Sequence, residues 1–148
     1  MKKIKTVLTA IVMLYASSAF AMGPEKVTPR VKAAFENDFS NASKVSWEKS
    51  SDFYFATFML NKVKVDAAYN EAGELLGTSK KILADQMPLN VSIAIAKRYE
   101  GSELEKNAVE LTYEGQTRYY ITVKHNNRLL KLKCYSNGDI EVESKTKI

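Results

Sequence analysis

From Val45 to Gly77 the apolar positions recur with a period of two, interrupted by turn residues at regular intervals. Phe53 to Leu60 is an aromatic and β-branched run, and Asn61-Lys62 follows it as a tight turn. Val63, Val65, Ala67 and Tyr69 then alternate with Lys62, Lys64, Asp66 and Ala68. A strand with one buried face needs that alternation. Asn70-Glu71-Ala72-Gly73 closes a second hairpin, with Gly73 free to take a positive φ. The stretch therefore predicts three or four short antiparallel strands in a row.

The flanking segments carry a helical period instead. Thr28 is an N-cap and Pro29 a first helical residue, and Val31, Phe35 and Phe39 form one apolar stripe. Val45 and Trp47 then start the first strand. Val91, Ile95 and Tyr99 repeat the stripe behind Pro88, and Gly101 stops that helix. Strand segments follow at Ala108 to Glu114, Thr117 to His125 and Arg128 to Tyr135, with Ile140 and Val142 opening a last one. Their turns fall at residues 114–116, 126–127 and 137–139.

The two halves match. At an offset of 60, Val31, Ala34, Phe35 and Phe39 meet Val91, Ala94, Ile95 and Tyr99. At an offset of 65, Tyr54, Thr57, Asn61, Gly73, Ser79 and Lys80 meet identical residues. The expected fold is α+β: tandem helix-then-four-strand repeats, about 25–82 and 86–148, with an antiparallel sheet and both helices on one face. The offset also assigns faces. Tyr54, Ala56, Phe58, Val65, Ala67 and Tyr69 belong under the first helix, and Tyr119, Ile121, Val123, Leu130, Leu132 and Cys134 under the second. Phe53, Phe55 and Met59, then Arg118, Tyr120, Lys124, Leu129, Lys131 and Lys133, take the other face.

Charge changes the picture once the N-terminus is read separately. Lys2, Lys3 and Lys5 precede a short apolar run, Val7 to Tyr15, and Ala19-Phe20-Ala21 has the small-x-small form of a signal-peptidase site. Residues 1–21 are thus expected to be a cleaved signal peptide and residues 22–148 an exported single domain, periplasmic or secreted. Of the 22 basic residues three lie in that segment; against 17 acidic ones, the remainder carries a net charge of +2 instead of +5. That excludes nucleic acid as the expected partner. No later run is long enough for a helical membrane span.

Phe35-x-x-x-Phe39-x-Asn41-Ala42-x-x-Val45-x-Trp47-Glu48, Tyr54-x-Ala56-x-Phe58 and Asn70-x-x-Gly73-x-Leu75-Leu76 resemble the PepSY-like, β-lactamase-inhibitor-like (BLIP-like) exported domains. Leu83, Met87-Pro88 and Val91-x-x-Ala94-Ile95 resemble that family's second helix, so the likeness spans nearly all of residues 22–148. Ser40 departs from a common proline, and Asn61-Lys62 from a turn that often carries glycine. The resemblance implies helices on one sheet face and an exposed face that binds a protein or peptide.

Candidate chemistry is sparse. His125, the only histidine, sits beside a turn with no evident nucleophile, and Cys134 alternates in phase with the core. One histidine and one cysteine do not make a zinc site, and no spacing matches a calcium loop. No catalytic, cofactor or metal residue is assigned. The expected function is non-catalytic binding of a protein or peptide, possible inhibition included, through Phe53, Phe55, Met59, Arg118, Tyr120, Lys124, Leu129 and Lys131. The basic members favour an acidic partner. The alternative is a carrier holding a small apolar ligand between sheet and helices, in a roomy pocket lined by Trp47, Tyr54 and Tyr69.

Overall fold

The computed structural model describes residues 26–148. The expected signal peptide, residues 1–21, lies outside the described residues. The described residues divide into two compact units, 26–80 and 81–148.

In the first unit the helix α1 spans Pro29–Asp38. The Thr28 hydroxyl accepts the N–H of Val31 at 3.3 Å, and Pro29 occupies a first-turn position where no N–H is needed. Val31 and Phe35 are buried, and Phe39 packs at the rim of the same cluster. Four strands follow as an antiparallel meander: β1 (Ser43–Ser50), β2 (Phe53–Leu60), β3 (Val63–Asn70) and β4 (Leu75–Leu83), the last three residues of β4 belonging to the second unit. Asn61 and Lys62 both take left-handed φ, +49° and +68°, the two-residue type I′ turn whose twist matches the flanking strands.

The core is the helix-facing set of β1 to β3, capped by one ring. Phe35 sits 5.2 Å from Trp47, 5.0 Å from Phe58, 5.5 Å from Phe39 and 6.4 Å from Tyr69, mostly edge-on. The Tyr69 hydroxyl donates to the Asp38 carboxylate at 2.9 Å, fastening the helix end to β3. Burial first, and then that bond, push the Tyr69 hydroxyl well above its ordinary pKa.

In the second unit a 3₁₀ turn, Ala84–Gln86, precedes the helix α2, Leu89–Arg98. Val91 and Ile95 are its buried residues. The strands are β5 (Glu103–Leu104), β6 (Asn107–Tyr113), β7 (Gln116–His125), β8 (Arg128–Tyr135) and β9 (Ile140–Lys147). Asn126 and Asn127 form the same kind of turn, at φ +48° and +57°. The core here is aliphatic: Val91, Ile95, Ile121, Val123, Leu130 and Leu132, with Cys134 wholly buried among them. Within both units the helix-facing sets are those the alternation predicts.

Two details differ from expectation. β1 starts at Ser43, and a register shift between Ser43 and Ser46, with Lys44 at φ +53°, leaves Val45 39% exposed. The alternation does not predict β5. It pairs Glu103 and Leu104 with Lys124 and Val123, continuing the edge that β6 forms on the same strand, β7. A two-residue pairing has too little pattern for periodicity to register.

Gly73 is held where the hairpin meets the helix. It takes φ +78°, and a Cβ there would lie 3.2 Å from the Arg30 carbonyl oxygen, whereas the Cβ site of Gly101, at φ +72°, is open. Gly101→Ala should therefore cost only the left-handed backbone penalty, about 1–2 kcal/mol. Gly73→Ala should cost more, because backbone must also move. Urea unfolding of the two variants measures the difference; equal losses would contradict the close approach.

Candidate functional site

Strand alternation turns one row of side chains in the second unit away from α2. Register pairs Arg118 with Leu111 and Tyr135, Tyr120 with Val109 and Lys133, Thr122 with Lys131, and Lys124 with Leu129. Arg118, Tyr120, Lys124, Leu129, Lys131, Lys133 and Tyr135 thus share one sheet face. Tyr120, Leu129 and Tyr135 are half-buried there, and Lys124 and Lys131 are exposed.

The face is less basic than its β7 and β8 residues suggest. Lys133 donates to Glu141 at 2.9 Å, and the Tyr135 hydroxyl donates to the other oxygen of that carboxylate at 2.9 Å. Lys124 lies 3.7 Å from Glu103. Glu141 comes from β9, whose start at Ile140 the pattern predicts, and Glu103 from β5, which it does not. The Asn137-Gly138 turn offered a signal, since counting back from it sets Glu141 opposite Lys133.

Electrostatics follows the packing. The hydrogen bond from Lys133, and next that from Tyr135, lower the Glu141 pKa. Burial alone draws the Lys133 ammonium down, but its bonds to Tyr135 and Glu141 outweigh this and raise it. Burial, then the nearby Glu143 charge, raises the Tyr120 hydroxyl. The Arg118 guanidinium lies 5.9 Å from the centre of the Tyr135 ring, and one of its nitrogens donates to Gln116 at 2.8 Å. Its other terminal nitrogen, Nη1, is buried with no hydrogen-bond partner among the described residues.

In the first unit Phe53, Phe55 and Met59 do lie on the helix-free face of β2. Phe53 and Met59 are half-buried. Phe55, expected to be exposed, is only 3% exposed. Its row reads Glu48, Phe55, Ala68, Gly77 across β1 to β4. Alternation fixes the face a residue takes, not what covers it. Phe55 therefore leaves the set of candidate contact residues. The adjoining row is polar: Ser46, Thr57, Asp66 and Ser79, with Thr57 donating to the buried Asp66 carboxylate.

The pocket expected of a carrier is filled. Trp47, Tyr54 and Tyr69 are 6%, 2% and 0% exposed, and the Phe35 ring packs against those of Trp47 and Tyr69. What remains is an open cleft of about 380 Å³ beside α1, to which Trp47 contributes but Tyr54 and Tyr69 do not.

Strand register also keeps His125 and Cys134 apart. His125 pairs with Arg128 at one end of β8 and Tyr119 with Cys134 near the other, six residues along, roughly 20 Å at the usual rise. Burial pushes the Cys134 thiol from 9.0 up to about 11, which suppresses the nucleophilic thiolate. Among the described residues no group of three His, Cys, Asp or Glu side chains could hold a metal ion.

Each unit is an antiparallel meander with one face under a single helix, and in the second the other face carries half-buried aromatic side chains and lysines paired with carboxylates. No family model matches the chain, and no curated protein matches it in sequence. In fold it resembles solved structures from Bacteroides. A BLIP-like protein from Bacteroides fragilis superposes with a TM-score of 0.69 at 18% identity, covering 82% of this chain and 87% of the other. A DUF2874 family protein from Bacteroides ovatus gives 0.68 at 18%, over 86% and 89%. A Bacteroides eggerthii protein provisionally described as periplasmic gives 0.67 at 18%, over 82% and 89%. The chain has the BLIP-like fold.

Two outcomes follow from this geometry. Phe55→Ala should lose about 3–5 kcal/mol in denaturant unfolding, while half-buried Phe53→Ala loses clearly less; the reverse order would restore Phe55 to the surface. Because the folded thiol pKa of Cys134 lies above its ordinary value, its contribution to stability is complete below pH 9 and is lost as pH rises to about 11. Cys134→Ala should flatten that part of the stability–pH curve, and an unchanged slope would contradict the burial.

Proposed function

We propose that the chain is an exported, non-catalytic binding module that engages a protein or peptide through the helix-free sheet face of its second unit. The observation that carries this reading is Arg118 Nη1, buried without an acceptor beside half-buried Tyr120 and Tyr135. Unpaired buried donors are costly, and an incoming carbonyl or carboxylate relieves that cost. Arginine and tyrosine are also the side chains that most often anchor interfaces. Lys131 and Leu129 extend the same surface, and Lys124 lies at its edge. Inhibition of an exported enzyme is one form such binding takes.

Export rests on the Lys2-Lys3-Lys5 cluster, the apolar run and the Ala19-Phe20-Ala21 site. The likeness in fold to a protein provisionally described as periplasmic supports it. The two units read as copies of one helix-then-strands motif. In support, the Gly138 Cβ site lies 3.4 Å from the Asn90 carbonyl oxygen, as that of Gly73 lies 3.2 Å from Arg30, at the offsets of 65 and 60 seen in sequence. The carrier reading has lost its support, since the interior it requires is packed.

The test is a pull-down from periplasmic extract. It compares residues 22–148 with a Tyr120→Ser, Leu129→Ser, Lys131→Glu variant whose melting temperature is unchanged. A partner held by the parent and retained at least tenfold less by the variant is the expected result. Equal recovery by both, or no partner for either, would overturn the reading.

A further inference from the structure

A second site lies on the other side of the second unit, where the strands outrun the helix. The ten residues of α2 span about 15 Å, whereas the ten of β7 reach more than twice as far. The overhang beyond the helix C-terminus is a cleft of about 540 Å³ lined by Arg98, Tyr99, His125, Arg128 and Lys145, with Leu130 and Val142 among its apolar residues.

Local structure puts the cations there. A register shift between Lys131 and Leu132 in the β8–β9 pairing sets Lys145 opposite Leu130, on the helix side of the sheet. Arg98 donates from Nη1 to the Ile140 carbonyl at 2.9 Å, which holds its guanidinium over the edge of β9. His125 stands edge-on to the buried Tyr99 ring at 5.6 Å and shares a hydrogen bond with Asn126 at 3.0 Å. No carboxylate among the described residues pairs with Arg98, Arg128 or Lys145. On the opposite face of the same strands, Lys124 and Lys133 both have acidic neighbours.

We infer that this cleft binds a small molecule through an oxyanion, phosphate or carboxylate. Guanidinium groups meet such planar or tetrahedral oxyanions with paired donors, and the volume lies within the usual range of small-ligand sites. The site is separate from the sheet face proposed above, and neither depends on the other.

The test uses residues 22–148 and amide NMR spectra during titration with inorganic phosphate or with citrate, at an ionic strength held constant with sodium chloride. Saturable shifts confined to Arg98, Tyr99, His125, Arg128 and Lys145 are expected, and the anion that saturates first identifies the oxyanion. Arg128→Gln and Lys145→Gln, both exposed side chains, should each weaken binding about tenfold. Shifts that fail to saturate, that chloride alone reproduces, or that survive both substitutions would overturn the inference.

Discussion

Everything in each unit depends on one helix covering one face of a meander. A ten-residue helix is too short to be stable alone in water, so it forms because Val31 and Phe35, or Val91 and Ile95, are buried against strands. The strands in turn need that cover, since a lone hairpin is marginal and a meander gains stability from an apolar face. The dependence is mutual. It fixes the register too, because a slip by one residue would carry Tyr54, Ala56 and Phe58 to the wrong side.

The two units meet this constraint with different chemistry. In the first, Phe35 is the hub of an aromatic cluster, and the Tyr69–Asp38 bond ties the helix end to a strand. In the second, branched aliphatics and Cys134 fill the same role. A face already committed to the helix cannot also present a ligand surface. That leaves the helix-free face, and the places where strands project past a helix end, as the surfaces on which the proposed recognition rests.

Much of the fold was legible because it rests on local rules. The Thr28-Pro29 start, the Asn61-Lys62 and Asn126-Asn127 turns, and the helix-facing residues all follow from caps, turn chemistry and period-two alternation. Less of the site was legible. The pattern put Phe55 on its correct face but could not show that it is buried there, in a row with Ala68 and Gly77 from other strands. Nor could it set Glu103 beside Lys124, because β5 is only two residues long. Burial of a sheet residue is a property of its row, and a row draws on residues scattered along the chain.

The central claim is that one face of β8 in the second unit is sealed by the helix while the other, at Leu129 and Lys131, stands open to the proposed partner. Single cysteines introduced into a Cys134→Ala background, as Leu129→Cys, Leu130→Cys and Lys131→Cys, test it most directly through the rate of labelling by a water-soluble maleimide. Adjacent positions on one strand should alternate, with 129 and 131 reacting rapidly and 130 only after unfolding. Protection at all three would mean that the second face is covered too, and rapid reaction at 130 would mean that the helix does not seal the first.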